Sequence, residues 1–361
     1  DLLAGLIVTV MVIPQSLAYA LLAGLPAVVG LYASILPAVL YALLGTSRTL
    51  AVGPVAIIAL MTGAALSGVA TPGTPEYLQA ALVLSLLSGL MLAAMGLARL
   101  GFFTNFLSHP VIAGFLSASG LLIATSQAAH LLGIEANGYT VIALLGSLAA
   151  SLDAVHWPTL ALGGGTLLFL LLCRRHARTL LLRLGLAEPI AALLARSGPV
   201  LAVLATTWLS WHFALAEAGV AVVGAIPGGL PPFTLPGFDA SLWRALLVPA
   251  LLISVVGFVE SISMAQMLAA RRRQRISPNQ ELIGLGGANL AAAFSAGMPV
   301  TGGLSRTVIS DEAGAQTPMA GLFAALGIGL VTLAFTPLLH HLPIATLAAT
   351  ITVAVLTLVD I

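Results

Sequence analysis

Glu260 and Arg306 carry charges inside long apolar stretches of the chain. A charge in hydrocarbon costs several kcal/mol unless it is paired or hydrated, so function is the first reading for both. Arg306 ends the segment Ala296-Gly-Met-Pro-Val-Thr-Gly-Gly-Leu-Ser-Arg306, and a comparable segment, Thr49-Leu-Ala-Val-Gly-Pro-Val-Ala56, stands in the first half of the sequence. Each reads as extended backbone entering a short helix, because Pro suits a first helical turn and Gly permits close backbone approach. A helix N-terminus offers unpaired amides and about half a positive charge, so two such ends facing one another would attract an anion. Arg306 adds a full positive charge there. Glu260 fits two roles, a proton carrier or a structural ion-pair partner of Arg306. The same interval separates Gln15 from Pro54 and Glu260 from Pro299, pairing a polar group in a long helix with the break before each short one.

Helices that cross a bilayer must position these residues. Of 361 residues, 60% are hydrophobic and 7% charged, and the mean hydropathy is +1.11. An ordinary soluble domain carries roughly 25% charged residues, so the composition excludes a water-soluble globule as well as a disordered chain. The 13 basic residues, all Arg, balance 12 acidic ones, and without a basic stripe interleaved with aromatics nucleic acid is not an expected partner. Cys173 is the single cysteine, and no histidine has a metal-ligand spacing; neither a metal nor a cofactor is expected. His-Glu-x-x-His and Gly-x-Ser-x-Gly strings are both missing, which speaks against an enzyme, and no nucleotide-binding motif supplies energy.

Cutting the chain where charge, Pro or Gly interrupts the apolar runs predicts twelve spans. They lie near 2–23, 27–45, 54–69, 78–98, 110–132, 157–173, 198–213, 243–267, 279–297, 304–315, 317–338 and 343–360, with a further short helix over 139–153. The third and tenth are too short to cross as helices, and each follows a Gly-Pro or Pro-x-x-Gly break. With residue 1 on the cytoplasmic side, every arginine except Arg244 and Arg306 falls inside, and Trp157, Trp208, Trp211 and Trp243 sit at outer ends of spans. The two short spans suggest an inverted repeat, which leaves two helices expected beyond Ile361. Asp1 opens the sequence without an initiator Met and with an apolar run already under way, as in a fragment of a longer chain.

Pro14-Gln-Ser-Leu-Ala-Tyr-Ala-Leu-Leu-Ala-Gly-Leu-Pro26, Gly30-Leu-Tyr32, Gly45-Thr-Ser-Arg48, Val52-Gly-Pro-Val-Ala56, Asn279-Gln-Glu281 and Pro299-Val-Thr-Gly-Gly-Leu-Ser-Arg306 resemble the sulfate permease (SulP) family of anion transporters. The resemblance implies an all-α membrane protein of two inverted seven-span repeats, like the uracil permeases. Core-forming spans 1–4 and gate span 5 then occupy residues 1–138, and gate spans 6–7 with their loops occupy 139–242. Core-forming spans 8–11 follow over 243–338, and a second gate segment starts at 339–361. Spans 13–14 and the family's cytoplasmic STAS domain are not within these residues.

By the same resemblance Gln15, Tyr19, Pro54, the amides of Val55 and Ala56, Ser305 and Arg306 line an anion pocket, and Glu260 stands in the equivalent eighth span. Read from the residues alone, Gln15 and Tyr19 share a helix face that also fits interhelical hydrogen bonding. Ser305 fits a helix cap as well as a ligand contact. The expected function is secondary transport of a small oxyanion such as sulfate, bicarbonate or a dicarboxylate, coupled to a proton through Glu260 and working by an elevator movement. A nucleobase permease of the same fold and a passive anion channel are the alternatives; Arg306 favours an anion over a neutral ring. The remaining expectations are a homodimer in a bacterial inner membrane with a cytoplasmic N-terminus.

Overall fold

The structure, a computed structural model, describes residues 1–102, 109–136, 140–188, 191, 194–195 and 197–356; within helices, the side chains of 109–113, 115–116, 271, 304–305 and 312 lie outside the description. In chain order the elements begin with α1 (Leu2–Leu22), α2 (Ala27–Tyr32), α3 (Leu36–Leu44), β1 (Val52–Gly53), α4 (Ala56–Ser67) and α5 (Pro75–Leu97). Next come α6 (His109–Leu132), α7 (Val141–Ala150), α8 (Trp157–Leu172), α9 (Arg178–Arg183) and α10 (Gly198–His212). The last are α11 (Ala240–Arg271), α12 (Pro278–Phe294), β2 (Thr301–Gly302), α13 (Leu304–Glu312), α14 (Met319–Ala334) and α15 (Ile344–Val355). Among the described residues, five helical segments are long and apolar enough to cross a membrane.

Over the described residues, which leave out 357–360, the apolar runs predicted from sequence form helices, and the run over 317–338 passes from α14 into a 3-10 turn over Thr336–Leu339. The expected span over 27–45 breaks at Ile35, whose φ of −98° and ψ of −84° are not helical, and α3 restarts with Pro37 in its first turn. Proline has no amide hydrogen to bond a carbonyl four residues back, so the ladder cannot run through it undisturbed. The 12 residues of α4 and 9 of α13 rise 1.5 Å each, reaching about 18 and 14 Å against a hydrocarbon core of roughly 30 Å. Neither spans it alone.

The chain divides into two compact units, Asp1–Ile112 with Pro227–Ala334, and Ala113–Ile226 with Phe335–Ile361. In the first, α12 packs on both α5 and α3. Glycines permit the closest approach. A Cβ at Gly89 would stand 2.8 Å from the Leu290 amide, and one at Gly286 2.7 Å from the Ala93 amide, so the two backbones touch where lipid-embedded helices rely on small residues.

Polar contacts near the ends of these helices tie the first unit together. Glu281 is fully buried; its carboxylate accepts from the Tyr41 hydroxyl at 2.6 Å, the Thr46 amide and hydroxyl at 2.7 and 2.5 Å and the Ser47 amide at 3.0 Å. That cluster anchors the turn leading from α3 to β1. Arg272, read from sequence as a marker of orientation, does more: it pairs with Asp311 at 2.6 Å and donates to the carbonyls of Asp311 and Ala315. A cation there suits the negative end of α13.

In the second unit, Leu170 of α8, Ala202 of α10 and Ala349 of α15 form a buried cluster. Residues 221–224 run against 340–344 through a bridge between Val222 and Pro343 and the Val223 amide on Leu342.

Candidate functional site

The site is assembled where two extended segments meet. β1 and β2 pair antiparallel, Val52 opposite Gly302 and Gly53 opposite Thr301, and each leads within a few residues into a short helix. Two residues of sheet cannot satisfy their own flanking backbone, so side chains complete the pairing. Asn289 of α12 is the main one. Its amide nitrogen donates to the Val300 carbonyl at 2.8 Å, and its oxygen accepts from the Val300 amide at 3.0 Å. Asn289 thereby stands in for a strand neighbour, in a buried position where an unmade backbone bond would cost about 1–3 kcal/mol.

Ser261, one residue after Glu260, secures the other end of β2. Its hydroxyl accepts from the Gly302 amide at 2.7 Å and lies 2.6 Å from the Thr301 hydroxyl, which donates to the Gly257 carbonyl. With the Thr301 hydrogen so used, Ser261 is the donor to Thr301. On the other strand, the Ala51 amide bonds Thr307 of α13 at 3.1 Å, and the Ala51 carbonyl accepts from Gly303 at 3.2 Å. Both helix starts therefore belong to one hydrogen-bonded frame.

Neither start carries a side-chain cap: Val55 precedes α4 and Gly303 precedes α13 in extended conformation. The first-turn amides thus have no side-chain acceptor, a condition they share with helix N-termini that hold anions. Pro54, Val55 and Ala56 are buried at the start of α4, and a Cβ at Gly303 would stand 2.8 Å from the Val55 side chain. Arg306, 2% exposed, is in the first turn of α13. Its Nη2 donates to Ser16 of α1 at 3.2 Å, and Nε is buried without a hydrogen-bond partner.

Gln15 and Tyr19 are buried on α1, either side of Ser16 in sequence, and the Tyr19 phenol is within electrostatic reach of both Arg306 and Glu260. Glu260 is half-buried, with Oε2 enclosed and without a hydrogen-bond donor. Among the described residues no ion pair joins Glu260 to Arg306; the side-chain partner of the guanidinium is Ser16. The backbone of Ser305 lies in the first turn of α13, but its side chain is outside the described residues. Sequence reading assigned no role to Ser16, Ser34, Ser261 or Asn289, of which only Asn289, an amide in an apolar helix, carried a visible signal; Gly53 read as part of the Gly-Pro break and a site of close backbone approach, without a partner.

The sulfate permease family profile matches residues 1–361, the whole chain. This chain belongs to the sulfate permease family. A probable sulfate transporter of Mycobacterium tuberculosis is 39% identical over 100% of the chain and 62% of its own length. Sulfate transporter 4.1, chloroplastic, of Arabidopsis thaliana is 37% identical over 100% of the chain and 51% of its own length. The chain thus spans between half and two-thirds of these curated relatives. Among solved structures, the murine Solute Carrier 26 family member A9 anion transporter in the inward-facing state superposes with a TM-score of 0.87 at 26% identity, over 99% of the chain and 60% of that protein. These relatives are transporters, not enzymes.

Proposed function

We propose that this chain forms the anion-carrying part of a secondary active transporter for a small oxyanion (sulfate, bicarbonate or a dicarboxylate) coupled to protons. The carrying observation is buried Arg306 at the meeting of two uncapped helix starts. Three positive features converge where backbone polarity is already exposed to a ligand, and a neutral ring offers them no counter-charge. Gln15 and Tyr19 line the same pocket from α1, with Pro54, Val55, Ala56 and Ser305 at its helix starts. The sulfate transporters among its relatives support this substrate class.

Glu260 is the proton carrier in this reading. Its carboxylate has an unsatisfied buried oxygen, and its neighbour Ser261 holds β2, so protonation acts next to the frame that carries the anion. Pairing of β1 with β2 before two short helices supports an inverted repeat. The compact unit holding the whole frame supports an elevator movement, in which that unit carries the anion as one body. The protein works as a homodimer in a bacterial inner membrane, with its N-terminus cytoplasmic.

Uptake of sulfate, bicarbonate and succinate into proteoliposomes, with and without an inward proton gradient, tests the coupling. Acceleration by the gradient at matched internal pH is expected. Equal initial rates would remove proton coupling, and displacement by uracil alone would remove the anion.

A further inference from the structure

We propose that Ser16, Ser34 and Gly53 form a seat that fixes the Arg306 guanidinium, which makes them positioning residues for anion recognition. The inference rests on the reading that Arg306 contacts the anion. A guanidinium only donates, so Ser16 Oγ accepts from Arg306 Nη2. Ser34 Oγ donates to the Gly30 carbonyl at 2.9 Å. The 2.8 Å contact between the two hydroxyls is therefore a bond from Ser16 to Ser34. Every hydrogen in this chain has one direction, from Arg306 through Ser16 and Ser34 to a backbone carbonyl.

Gly53 closes the seat from the other side. A Cβ there would stand 2.0 Å from Arg306 Nη1, 3.1 Å from its Cζ and 3.5 Å from Ser34 Oγ. The guanidinium thus lies against bare backbone of β1, and any side chain at residue 53 takes its place. A cavity of about 30 Å³, bordered by Arg306, Ser34, Tyr41 and Val52, adjoins it. That volume gives a displaced guanidinium somewhere to go and gives room for a methyl group at residue 34. With Nη2 committed to Ser16, Nε remains without a protein partner. The seat consequently decides which donors of the fork meet an oxyanion.

The test is initial uptake into proteoliposomes of whichever of sulfate, bicarbonate and succinate the wild-type protein carries fastest. Ser34→Ala removes one neutral hydrogen bond and should raise KM about fivefold at an unchanged maximal rate. Ser34→Thr, which keeps the hydroxyl, should restore the wild-type KM. Gly53→Ala should raise KM by about tenfold or more, because it displaces the charge itself. In an Arg306→Ala background neither Ser34→Ala nor Gly53→Ala should raise KM further. If both leave KM unchanged while Arg306→Ala raises it, the seat is wrong and Arg306 keeps its role. Independent, additive effects in the Arg306→Ala background, or failure of Ser34→Thr to rescue, would equally overturn the seat. An unchanged KM for Arg306→Ala would overturn the reading beneath it.

Discussion

Arg306 rests on the Ser16 hydroxyl and Glu260 keeps one enclosed oxygen without a hydrogen-bond donor, which sets what each can do. A guanidinium bonded to a carboxylate would have its charge already answered; here Arg306 meets a serine hydroxyl instead, and in the proposed reading the anion answers its charge. Arg306→Ala should weaken anion binding by about 10- to 100-fold, the range for hydrogen bonds to a charged group, and Arg306→Lys by less, since lysine keeps the charge but loses the planar fork. Isothermal titration with sulfate on the purified variants measures both. Glu260→Gln keeps size and hydrogen bonding but has no titratable proton. It should abolish gradient-driven accumulation while exchange of internal for external anion continues, as counterflow of labelled substrate would show. Retained acceleration by a proton gradient would exclude Glu260 as the carrier.

The short strands depend on helices that pass behind them. Interhelical hydrogen bonds in bilayers average only about 0.6 kcal/mol, because an unfolded helix in the membrane finds other partners. Asn289 is different in kind: truncation would strand both the amide and the carbonyl of buried Val300. Asn289→Ala should therefore cost roughly 2–4 kcal/mol, and Asn289→Asp at least as much, since its second oxygen faces the Val300 and Leu285 carbonyls and a buried charge costs several kcal/mol. Thermal unfolding in detergent compares them. Glu281 allows a sharper contrast. Three of its four donors converge on one oxygen, so Glu281→Gln can keep them and lose only the bond from Tyr41. The expected cost is about 1 kcal/mol for Gln but roughly 3–5 kcal/mol for Glu281→Ala, which strands four donors. Equal destabilisation by both would mean that the negative charge matters more than the acceptor geometry.

At the scale of the whole molecule, the complete hydrogen-bonded frame around β1 and β2 belongs to one compact unit, assembled from the two ends of its sequence. The other unit has its own buried cluster around Leu170. Ligand binding stabilises a protein by mass action at the site alone, about 2.7 kcal/mol at a hundredfold excess over Kd. Leu170→Ala should accordingly lower the apparent Tm by removing packing, while the increase in Tm produced by sulfate stays as in the wild type. Differential scanning fluorimetry across a sulfate series checks this; a flattened ligand response would show that the second unit shapes the pocket.

Hydropathy is a property of local windows, so the apolar helices, the two short ones and the exceptional charges of Glu260 and Arg306 were all legible in the sequence. Gly-Pro and Pro-x-x-Gly marked the extended segments for the same reason, since proline and glycine act on the backbone where they stand. The family motifs pointed to the segments proposed to line a pocket without saying what holds those segments in shape. Only the tertiary structure decided that Arg306 rests on Ser16, 290 positions away, or that Arg272 clamps α13 through Asp311. A serine in a helix can satisfy itself on the carbonyl one turn back, as Ser85 does, and nothing local distinguishes it from Ser16, whose partners come from other elements. Gly53 reads as a break before Pro54, and the guanidinium that needs its missing side chain arrives only when the chain has folded back upon itself.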